Sequence, residues 1–465
     1  MTIDPTVADL LAKARTAQAL YEKFNQAEVD DVVAAIAWVV LEPVRNQHLS
    51  ERAVEDTGLG DVDDKFTKNH RKTLGLLRDL TGAPSVGVIA TDSERGLIEI
   101  ARPIGVVGAI TPSTNPVATP TNKVMNALKG GNAIILAPSP RGEAVCGELV
   151  DLFREALEKV GAPVDLIQKL PHPINKATTQ ALMESVDLIV ATGSQNNIRA
   201  AYSSGTPAVG VGAGNVAVII DETADYQQAA ESIVASKSFD NATSCSSENS
   251  IVVVESAVGP LLEALSSCGV HLLTSNEKAT LQALMWINGK LNPEVTARSA
   301  KEISEMAGLS ESGGPDLRVL LVEESGTGAD YPFSGEKLSP VLAMYCVPDF
   351  ETALLKVAEI YAYQGAGHSV GIHTSDEGRP LEIGLNLPTC RVIVNQAHCF
   401  ATGGSLDNAL PFSLSMGCGS WGGNSISENM GYRHFINTVR VVSKITPQTI
   451  SPDDFLTGYW SRYGK

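Results

Sequence analysis

The sequence predicts an α/β protein built as two lobes, each a parallel β-sheet covered by helices. Short apolar runs bounded by Gly, Pro, Ser or Thr alternate with amphipathic stretches, which is the pattern of strand–helix–strand units. The chain has 41 glycines and only 5% aromatic residues, as expected where many tight turns join strands to helices. At 465 residues it is long enough for two substantial lobes.

Helices are predicted over roughly the first hundred residues. Apolar residues recur there at helical spacing in two stretches: Leu10, Leu11, Ala14, Ala17, Leu20 and Tyr21, then Val32, Val33, Ile36, Val39 and Val40. One apolar face of a helix is normally buried against the core. We therefore expect both helices to pack on the first lobe.

From residue 104 the apolar runs become short and continuous, as in strands that are buried on both faces of a parallel sheet. The predicted strands are IGVVGAIT (104–111), NAIILA (132–137), VDLIVAT (186–192) and VAVIID (216–221). Helices are predicted near 117–129, 143–159, 195–203 and 224–238. With the N-terminal helices, these elements form a first lobe at residues 1–238.

A second set of strands follows residue 239. Its members are SIVVVE (250–255), RVLLVE (318–323), PVLAMYCV (340–347), HSVGIHT (368–374) and RVIVNQ (391–396). The segment from Ser275 to Leu309 is polar and helical, and is expected on the surface. These elements form a second lobe at residues 239–429.

The C-terminal segment at residues 430–465 contains RHFINTVRVVSKI (433–445), which alternates enough to be a strand. It has no obvious partner strand within the chain. Because an open strand edge pairs readily with another chain, the segment predicts a homo-oligomer, either a dimer or a tetramer.

Composition and charge exclude several classes of partner. The formal net charge of -18 disfavours nucleic acid. The seven cysteines include no CxxC pair, so no zinc cluster or other metal site is expected. The N-terminus lacks a basic region followed by an apolar run, and no apolar stretch approaches the roughly 20 residues that span a bilayer. We expect a cytoplasmic protein with no membrane segment.

Two glycine-containing stretches are candidates for binding the phosphates of a cofactor. GVGAGN (210–215) does not fit GxGxxG between a strand and a helix, and a tight turn is the expected structure there. ATGSQNN (191–197) follows a strand directly, so the N-terminus of the next helix could face a pyrophosphate.

One cysteine has an unusual local context. Cys245 lies in SFDNATSCSSENSIVVV, among small turn-forming residues and just before an apolar strand. A structural thiol more often lies within an apolar run. The local context alone leaves both a nucleophile and a structural thiol open.

The segment around Cys245 resembles the active-site cysteine segment of the aldehyde dehydrogenase superfamily, in its CoA-acylating branch. Further segments of that branch occur in the same order, and the resemblance covers residues from about 10 to 440. They are ITPSTNP (110–116), APSPRG (137–142), ATGS (191–194), AYSSGTPAVGVGAGN (201–215), EKLSPVLAMY (336–345) and GCGSWGGNSISEN (417–429). The resemblance implies an aldehyde dehydrogenase-like fold with two Rossmann-like lobes and a small oligomerisation strand segment. It makes 1–238 the cofactor lobe and 239–429 the catalytic lobe.

The resemblance also implies roles for individual residues. Cys245 matches the nucleophile that forms a thiohemiacetal and then an acyl thioester. Asn115 matches the asparagine whose amide stabilises the oxyanion, although in isolation it could simply cap a helix. His368 matches a histidine near the active site, although a core histidine would also fit. Asn424 and Gly423 match a loop that faces CoA and substrate.

Other positions match the part of the family site that holds a nicotinamide cofactor, NAD or NADP. Glu336 matches a glutamate that binds the nicotinamide ribose. The remaining matched positions are Thr111, Pro112, Ser139, Arg141, Thr192, Gly193, Ser194 and Gly212. After the strand NAIILA the chain carries Ser139 and Arg141 and no acid, which favours the 2′-phosphate of NADP.

A residue that the hydrolytic relatives need is absent. Hydrolytic aldehyde dehydrogenases carry a glutamate, as a base for water, just before the paired glycines that correspond to Gly212 and Ala213. Gly210 stands at that position here. Without a base, water attacks a thioester poorly, whereas a thiol such as that of CoA attacks well. The resemblance therefore implies reversible transfer between an acyl-CoA and an aldehyde.

Within the branch, three segments are most similar to sulfoacetaldehyde dehydrogenases (acylating). They are KNHRKTLGLLRDL (68–80), CRVIVNQAHCFATGG (390–404) and YRHFINTVRV (432–441). The implied reaction converts sulfoacetyl-CoA and NADPH to sulfoacetaldehyde, CoA and NADP, or the reverse. Acetaldehyde, propionaldehyde and succinate semialdehyde are alternative substrates. An assembly or microcompartment-packaged protein, with the N-terminal helix as its signal, is an alternative of another class.

Overall fold

The structure, a computed structural model, describes residues 4–212, 214–309 and 313–465. The α-helices in these ranges are α1 (Pro5–Tyr21), α2 (Gln26–Leu41), α3 (Pro43–Thr57), α4 (Val62–Leu80), α5 (Ala118–Lys129), α6 (Glu143–Lys159), α7 (Lys176–Ser185), α8 (Gln195–Ser203), α9 (Tyr226–Ser238), α10 (Glu255–Ser267), α11 (Ser275–Met285), α12 (Ala300–Met306), α13 (Phe350–Tyr363), α14 (Arg379–Asn386), α15 (His398–Ala401) and α16 (Pro452–Tyr463). None of these helices has the length and apolar character needed to cross a membrane.

The strands in the same ranges are β1 (Gly87–Asp92), β2 (Leu97–Pro103), β3 (Val106–Thr111), β4 (Ala133–Pro138), β5 (Ile167–Lys169), β6 (Leu188–Thr192), β7 (Ala208–Val211), β8 (Val216–Ile220), β9 (Glu248–Val254), β10 (Val270–Leu272), β11 (Trp286–Ile287), β12 (Lys290–Leu291), β13 (Val319–Glu323), β14 (Val341–Val347), β15 (Val370–His373), β16 (Val392–Val394) and β17 (Ile436–Val442). They form two parallel sheets, one antiparallel sheet and the short hairpin β11–β12. The predicted α/β class is confirmed.

The N-terminal helices begin at residues that cap them. Asp4 and Asp61 accept backbone N–H groups at the starts of α1 and α4, and Asn25 forms a capping box with Glu28 at α2. The apolar side of α1 is buried at Val7, Leu11, Ala14, Ala17 and Tyr21. This confirms that α1 packs on the core, although Leu20 is 49% exposed.

The first parallel sheet has the strand order β5-β4-β3-β6-β7. Its central strands are buried along their whole length, which explains their continuous apolar sequence. A turn was predicted at GVGAGN, but its first two residues, Gly210 and Val211, belong to β7, so the prediction is wrong there. Ala213 of the same motif lies outside the described residues.

The second parallel sheet has the order β10-β13-β14-β9-β8-β15-β16. β8 pairs with β9 and β15, so the chain leaves the first sheet after Val211, well before the predicted boundary at residue 239. A buried strand has the same continuous apolar sequence in either sheet, so the sequence of β8 does not show to which sheet it belongs. The division of roles between the lobes stays a prediction.

A third sheet, ordered β1-β2-β17, corrects two predictions. β1 and β2 lie in the N-terminal region that was predicted to be helical. The side chains of β1 are mostly exposed and those of β2 mostly half-buried, so neither strand has the continuous apolar sequence of a buried strand. β17 was predicted to lack a partner, but it pairs antiparallel with β2 from Ile436–Pro103 to Val442–Leu97. The argument from β17 for an oligomer therefore loses its premise, and the oligomeric state stays a prediction.

The segment 275–309 is only partly helical, because the hairpin β11–β12 separates α11 from α12. The hairpin turns through Asn288 and Gly289, both with positive φ. This Asn-Gly pair is a strong hairpin signal, and the helical prediction overlooked it.

Candidate active site

A cavity of about 400 Å³ lies at the carboxyl ends of β3 and β6, where open α/β sheets usually bind ligands. The segment that carries Cys245, just before β9, closes its other side. The lining residues are Thr111, Pro112, Ser113, Thr114, Asn115, Thr119, Ser139, Thr192, Gly193, Ser194, Asn197, Gly212, Thr243, Ser244, Cys245, Glu336, Leu338, Leu414 and Met416. Most of the residues selected from sequence thus meet in one place.

Cys245 lies between the 3₁₀ turn Phe239–Ala242 and β9, in a half-buried position. The Cys245 carbonyl oxygen lies so close to Gly214 that a Cβ on residue 214 would be 2.2 Å from this oxygen. Burial raises the pKa of the Cys245 thiol to about 12, and the charge of Glu336 adds to the rise. The thiol is therefore protonated at neutral pH and needs a base to become a nucleophile.

His368 is placed to be that base. Its Nε2 lies 3.7 Å from Cys245 Sγ, and its Nδ1 lies 2.7 Å from Ser369 Oγ, which is 2.9 Å from His398 Nε2. Burial, with the nearby charge of Arg391, lowers the pKa of His368 to about 3. The imidazole is therefore neutral and, when Nδ1 donates to Ser369, presents the lone pair of Nε2 to Cys245. Its low pKa makes it a weak base, so its candidacy rests on this contact.

Asn115 lines the cavity just before α5. Its Oδ1 accepts a hydrogen bond of 2.9 Å from Lys68 Nζ, which identifies the other end of the amide as the donor. Among the described residues, Asn115 Nδ2 has one hydrogen-bond contact, a long one of 3.4 Å to Thr114 Oγ1. The side chain does not cap α5, whose N-terminus has no side-chain cap. Its amide N–H can therefore serve an oxygen in the cavity.

Glu336 lies between Ser334 and β14. Its backbone N–H donates to Gln364 Oε1 at 3.1 Å, but within the described ranges its own Oε1 is buried without a hydrogen-bond partner. Burial raises the pKa of Glu336 to about 8. A buried acceptor without a partner that lines a cavity suits a ligand hydroxyl such as that of a ribose.

The position of the missing base has no room for one. Tyr202 Oη accepts from Gly210 N–H at 3.0 Å and donates to the Gly210 carbonyl at 3.1 Å. A Cβ at Gly210 would lie 2.9 Å from Ile198 Cγ2 and 3.0 Å from the Tyr202 ring. A glutamate cannot replace Gly210 unless α8 moves.

The Thr192–Gly193–Ser194 turn joins β6 to α8. Ser194 Oγ caps α8 by accepting from Asn197 N–H at 3.4 Å, and Gly193 has φ 150°, a conformation that favours glycine. A Cβ at Gly212 would collide with the side chain of Gln195. Backbone can therefore approach a ligand closely on this side of the cavity.

Lys123 was overlooked in the sequence. It is fully buried in α5, and its Nζ donates to Thr192 Oγ1 at 2.9 Å and Ser415 Oγ at 3.3 Å. Burial lowers its pKa to about 7. The available signal was its position in α5, ATPTNKVMNALK, directly before the apolar pair Val124 and Met125.

Four selected residues do not line the cavity: His368, which lies behind Cys245, and Arg141, Asn424 and Gly423. Arg141 is exposed on the short 3₁₀ turn Pro140–Gly142, next to Ser139. Asn424 folds back on its own loop, where Oδ1 accepts from Cys418 N–H at 2.9 Å, and Gly423 ends the 3₁₀ turn Ser420–Gly422. In the part of the chain that is described, no cluster of three His, Cys, Asp or Glu side chains is placed to hold a metal ion.

Residues 4–282 match the aldehyde dehydrogenase family. A sulfoacetaldehyde dehydrogenase (acylating) of Cupriavidus necator is 57% identical over 99% of this chain and 93% of its own length. Another, of Bilophila wadsworthia, is 42% identical over 99% of this chain and 100% of its own length.

Solved structures agree with this assignment. An acetylating aldehyde dehydrogenase of Geobacillus thermoglucosidasius has a TM-score of 0.91 and 37% identity, covering 96% of this chain and 98% of its own. A Rhodopseudomonas palustris propionaldehyde dehydrogenase with bound propionyl-CoA has a TM-score of 0.85 and 25% identity, covering 95% of both chains. An engineered glycolyl-CoA reductase with bound NADP+ has the same score and identity, covering 95% and 98%. The chain belongs to the aldehyde dehydrogenase family, in its acylating branch.

Proposed function

We propose that this protein is an acylating dehydrogenase that interconverts sulfoacetyl-CoA and sulfoacetaldehyde, with a nicotinamide cofactor and with Cys245 as the nucleophile. The observation that carries the substrate is the 57% identity to a sulfoacetaldehyde dehydrogenase (acylating) along 99% of the chain. The observation that carries the chemistry is the cavity shared by Cys245, Asn115 and Glu336, with His368 behind the thiol.

The first half of the reaction is a thioester exchange. His368 Nε2 takes the proton from Cys245, and the thiolate attacks the carbonyl carbon of the acyl-CoA. The bond to the CoA sulfur breaks, the proton on His368 goes to the departing CoA thiolate, and the acyl group remains on Cys245. Asn115 Nδ2 donates to the oxyanion that forms during this step.

The second half reduces the acyl group to the aldehyde. A nicotinamide cofactor held with its ribose at Glu336 would supply the hydride to the thioester carbon, or accept one in the reverse direction. Asn115 again stabilises the oxyanion, and its collapse breaks the carbon–sulfur bond and returns Cys245 as a thiolate, which takes up a proton. The orphan acceptor Glu336 Oε1 fits the role of binding the nicotinamide ribose.

Thioester release to CoA instead of water follows from the position of Gly210. Glu336 is the one carboxylate among the lining residues, and its proposed place is at the ribose. Tyr202 and Ile198 fill the space of a second base. His368 lies behind the thiol and outside the cavity lining, so a water in the cavity has no base beside it, whereas the thiol of CoA is itself a good nucleophile.

We further propose that NADP is preferred over NAD. A groove of about 520 Å³ continues the cavity past Ser139, between α7 and α8, and none of its lining residues is an acid. NAD sites usually present a carboxylate to the ribose, whereas a 2′-phosphate needs cations and hydroxyl donors. Ser139 and Lys176 line the groove, and the exposed Arg141 follows Ser139 by two residues.

Replacing Arg141 by Ala should raise the KM for NADPH by about tenfold, because one charge-assisted contact to the 2′-phosphate is lost. The KM for NADH should stay within about twofold, and this provides the internal control. Initial rates with each cofactor give both constants. Equal changes in both constants would remove Arg141 from cofactor selection.

The reaction itself is tested by a panel of sulfoacetyl-CoA, acetyl-CoA, propionyl-CoA and succinyl-CoA, each with NADPH and NADH. We expect the highest kcat/KM with sulfoacetyl-CoA and NADPH. In the reverse direction, sustained reduction of NADP should require CoA. Absence of oxidation with every acyl-CoA would contradict the proposed function, and undiminished turnover without CoA would indicate a hydrolytic enzyme.

A further inference from the structure

The backbone just before Cys245 is strained. Asp240, Asn241 and Ala242 have φ values of 50°, 50° and 59°, so three consecutive residues that are not glycine adopt a left-handed conformation. Such residues persist only where the surrounding structure holds them. This segment presents the nucleophile, so the contacts that hold it also set the position of Cys245.

The side chain of Asp240 supplies those contacts. Its carboxylate is fully buried and accepts from Lys65 Nζ at 3.1 Å, from Lys68 Nζ, from Thr243 Oγ1 at 2.6 Å and from Asp61 N–H at 2.9 Å. Burial alone would raise the pKa of Asp240, but the two lysine charges outweigh it and the pKa lies below its usual value. Asp240 is therefore an ionised anchor between α4 and the nucleophile segment.

Lys68 extends this anchor to the second catalytic group. Its Nζ has three N–H donors, and all three have partners: Asp240, Thr243 Oγ1 at 2.9 Å and Asn115 Oδ1 at 2.9 Å. No donor is left for a substrate. Lys68 can therefore act only through the groups that it holds.

We propose that Lys68 is a positioning residue, which holds Asn115 with its amide N–H in the cavity and ties it to the Cys245 segment through Asp240. The inference rests on the proposed function, since it gives Asn115 the role of oxyanion donor. Without Lys68 the half-buried Asn115 side chain loses the donor to its Oδ1, and the amide is free to rotate its N–H away from the oxyanion. The helix α4 thereby sets the geometry between nucleophile and oxyanion donor.

A double-mutant cycle tests the proposal, with Lys68→Met and Asn115→Ala alone and combined. Lys68→Met should lower kcat by about 10- to 100-fold while KM for the acyl-CoA changes less than threefold, because an oxyanion contact acts in the transition state. In the Asn115→Ala background the same substitution should lower kcat by less than threefold, since its target is already absent.

Lys65→Met is the matched control. It removes a lysine of the same helix from the same carboxylate, but Lys65 donates to the Thr114 carbonyl and not to the Asn115 side chain. Lys65→Met should lower kcat by the same factor in the wild-type enzyme and in the Asn115→Ala variant. Any loss of anchoring that does not involve Asn115 is thereby measured separately.

Equal losses from Lys68→Met in both backgrounds would overturn the proposal, as would a wild-type kcat in Lys68→Met. If Lys68→Met does not fold, judged by circular dichroism and NADPH binding, Lys68→Gln is put through the same cycle with the same criteria. An inactive wild-type enzyme would instead contradict the proposed function, so the two failures are distinguishable.

Discussion

The Cys245→Ala variant should lose turnover of sulfoacetyl-CoA by a factor on the order of 10⁵, because Cys245 is the one thiol among the described residues that line the cavity. Cys418 is buried behind the site, with its Sγ toward the Met416 carbonyl, and does not line the cavity. The measurement is kcat by NADPH oxidation, together with NADPH binding by fluorescence. Binding should remain within about twofold, because alanine leaves the cofactor side of the cavity unchanged.

Cys346→Ala is the matched control, since this thiol is exposed on β14 and does not line the cavity. It should have wild-type kcat. Residual turnover above about 1% in Cys245→Ala, with Cys346→Ala unaffected, would show that Cys245 is not the nucleophile.

The second large effect is expected for Asn115→Ala, which should lower kcat by about 10²- to 10³-fold, the usual cost of removing one oxyanion donor. KM for the acyl-CoA should change little, because the oxyanion exists only in the transition state and the intermediate. Steady-state kinetics at saturating NADPH separate the two constants. A raised KM with an unchanged kcat would instead make Asn115 a contact for the bound substrate.

The thermal midpoint serves as the control for Asn115→Ala. The substitution leaves Lys68 without one acceptor but keeps its contacts to Asp240 and Thr243, so only a small change in stability is expected. A large fall in the midpoint would mean that the loss of activity reflects damage to the fold.

The sequence predicted the strands that are buried on both faces, because such strands are continuous apolar runs. β3, β4 and β9 are examples. The mostly exposed β1 and the mostly half-buried β2 have no such pattern and were missed. The partner of β17 was also missed, since β2 lies more than 300 residues earlier and periodicity within a strand does not indicate pairing at that distance. The prediction that β8 belongs to the first lobe was wrong for the same reason: the sequence of a strand does not show which strands it pairs with.

For the site, the family motifs placed Cys245, Asn115 and Glu336 around one cavity, as the structure has them. Arg141 and Asn424 stand in matching motifs but do not line it. The anchor between Lys68 and Asp240 spans 172 residues and involves no recognised motif. A signal was present nonetheless: Lys65, Lys68 and Lys72 share one helical face of α4, and this face is buried.

The central claim, that Cys245 carries the acyl group, is tested most directly by intact-protein mass spectrometry after mixing the enzyme with sulfoacetyl-CoA and no NADPH. We predict a mass increase of one sulfoacetyl group, located to the peptide that contains Cys245 and removed by added CoA. No increase should occur in Cys245→Ala. An acyl group on another residue, or turnover by an enzyme that never becomes acylated, would contradict the account.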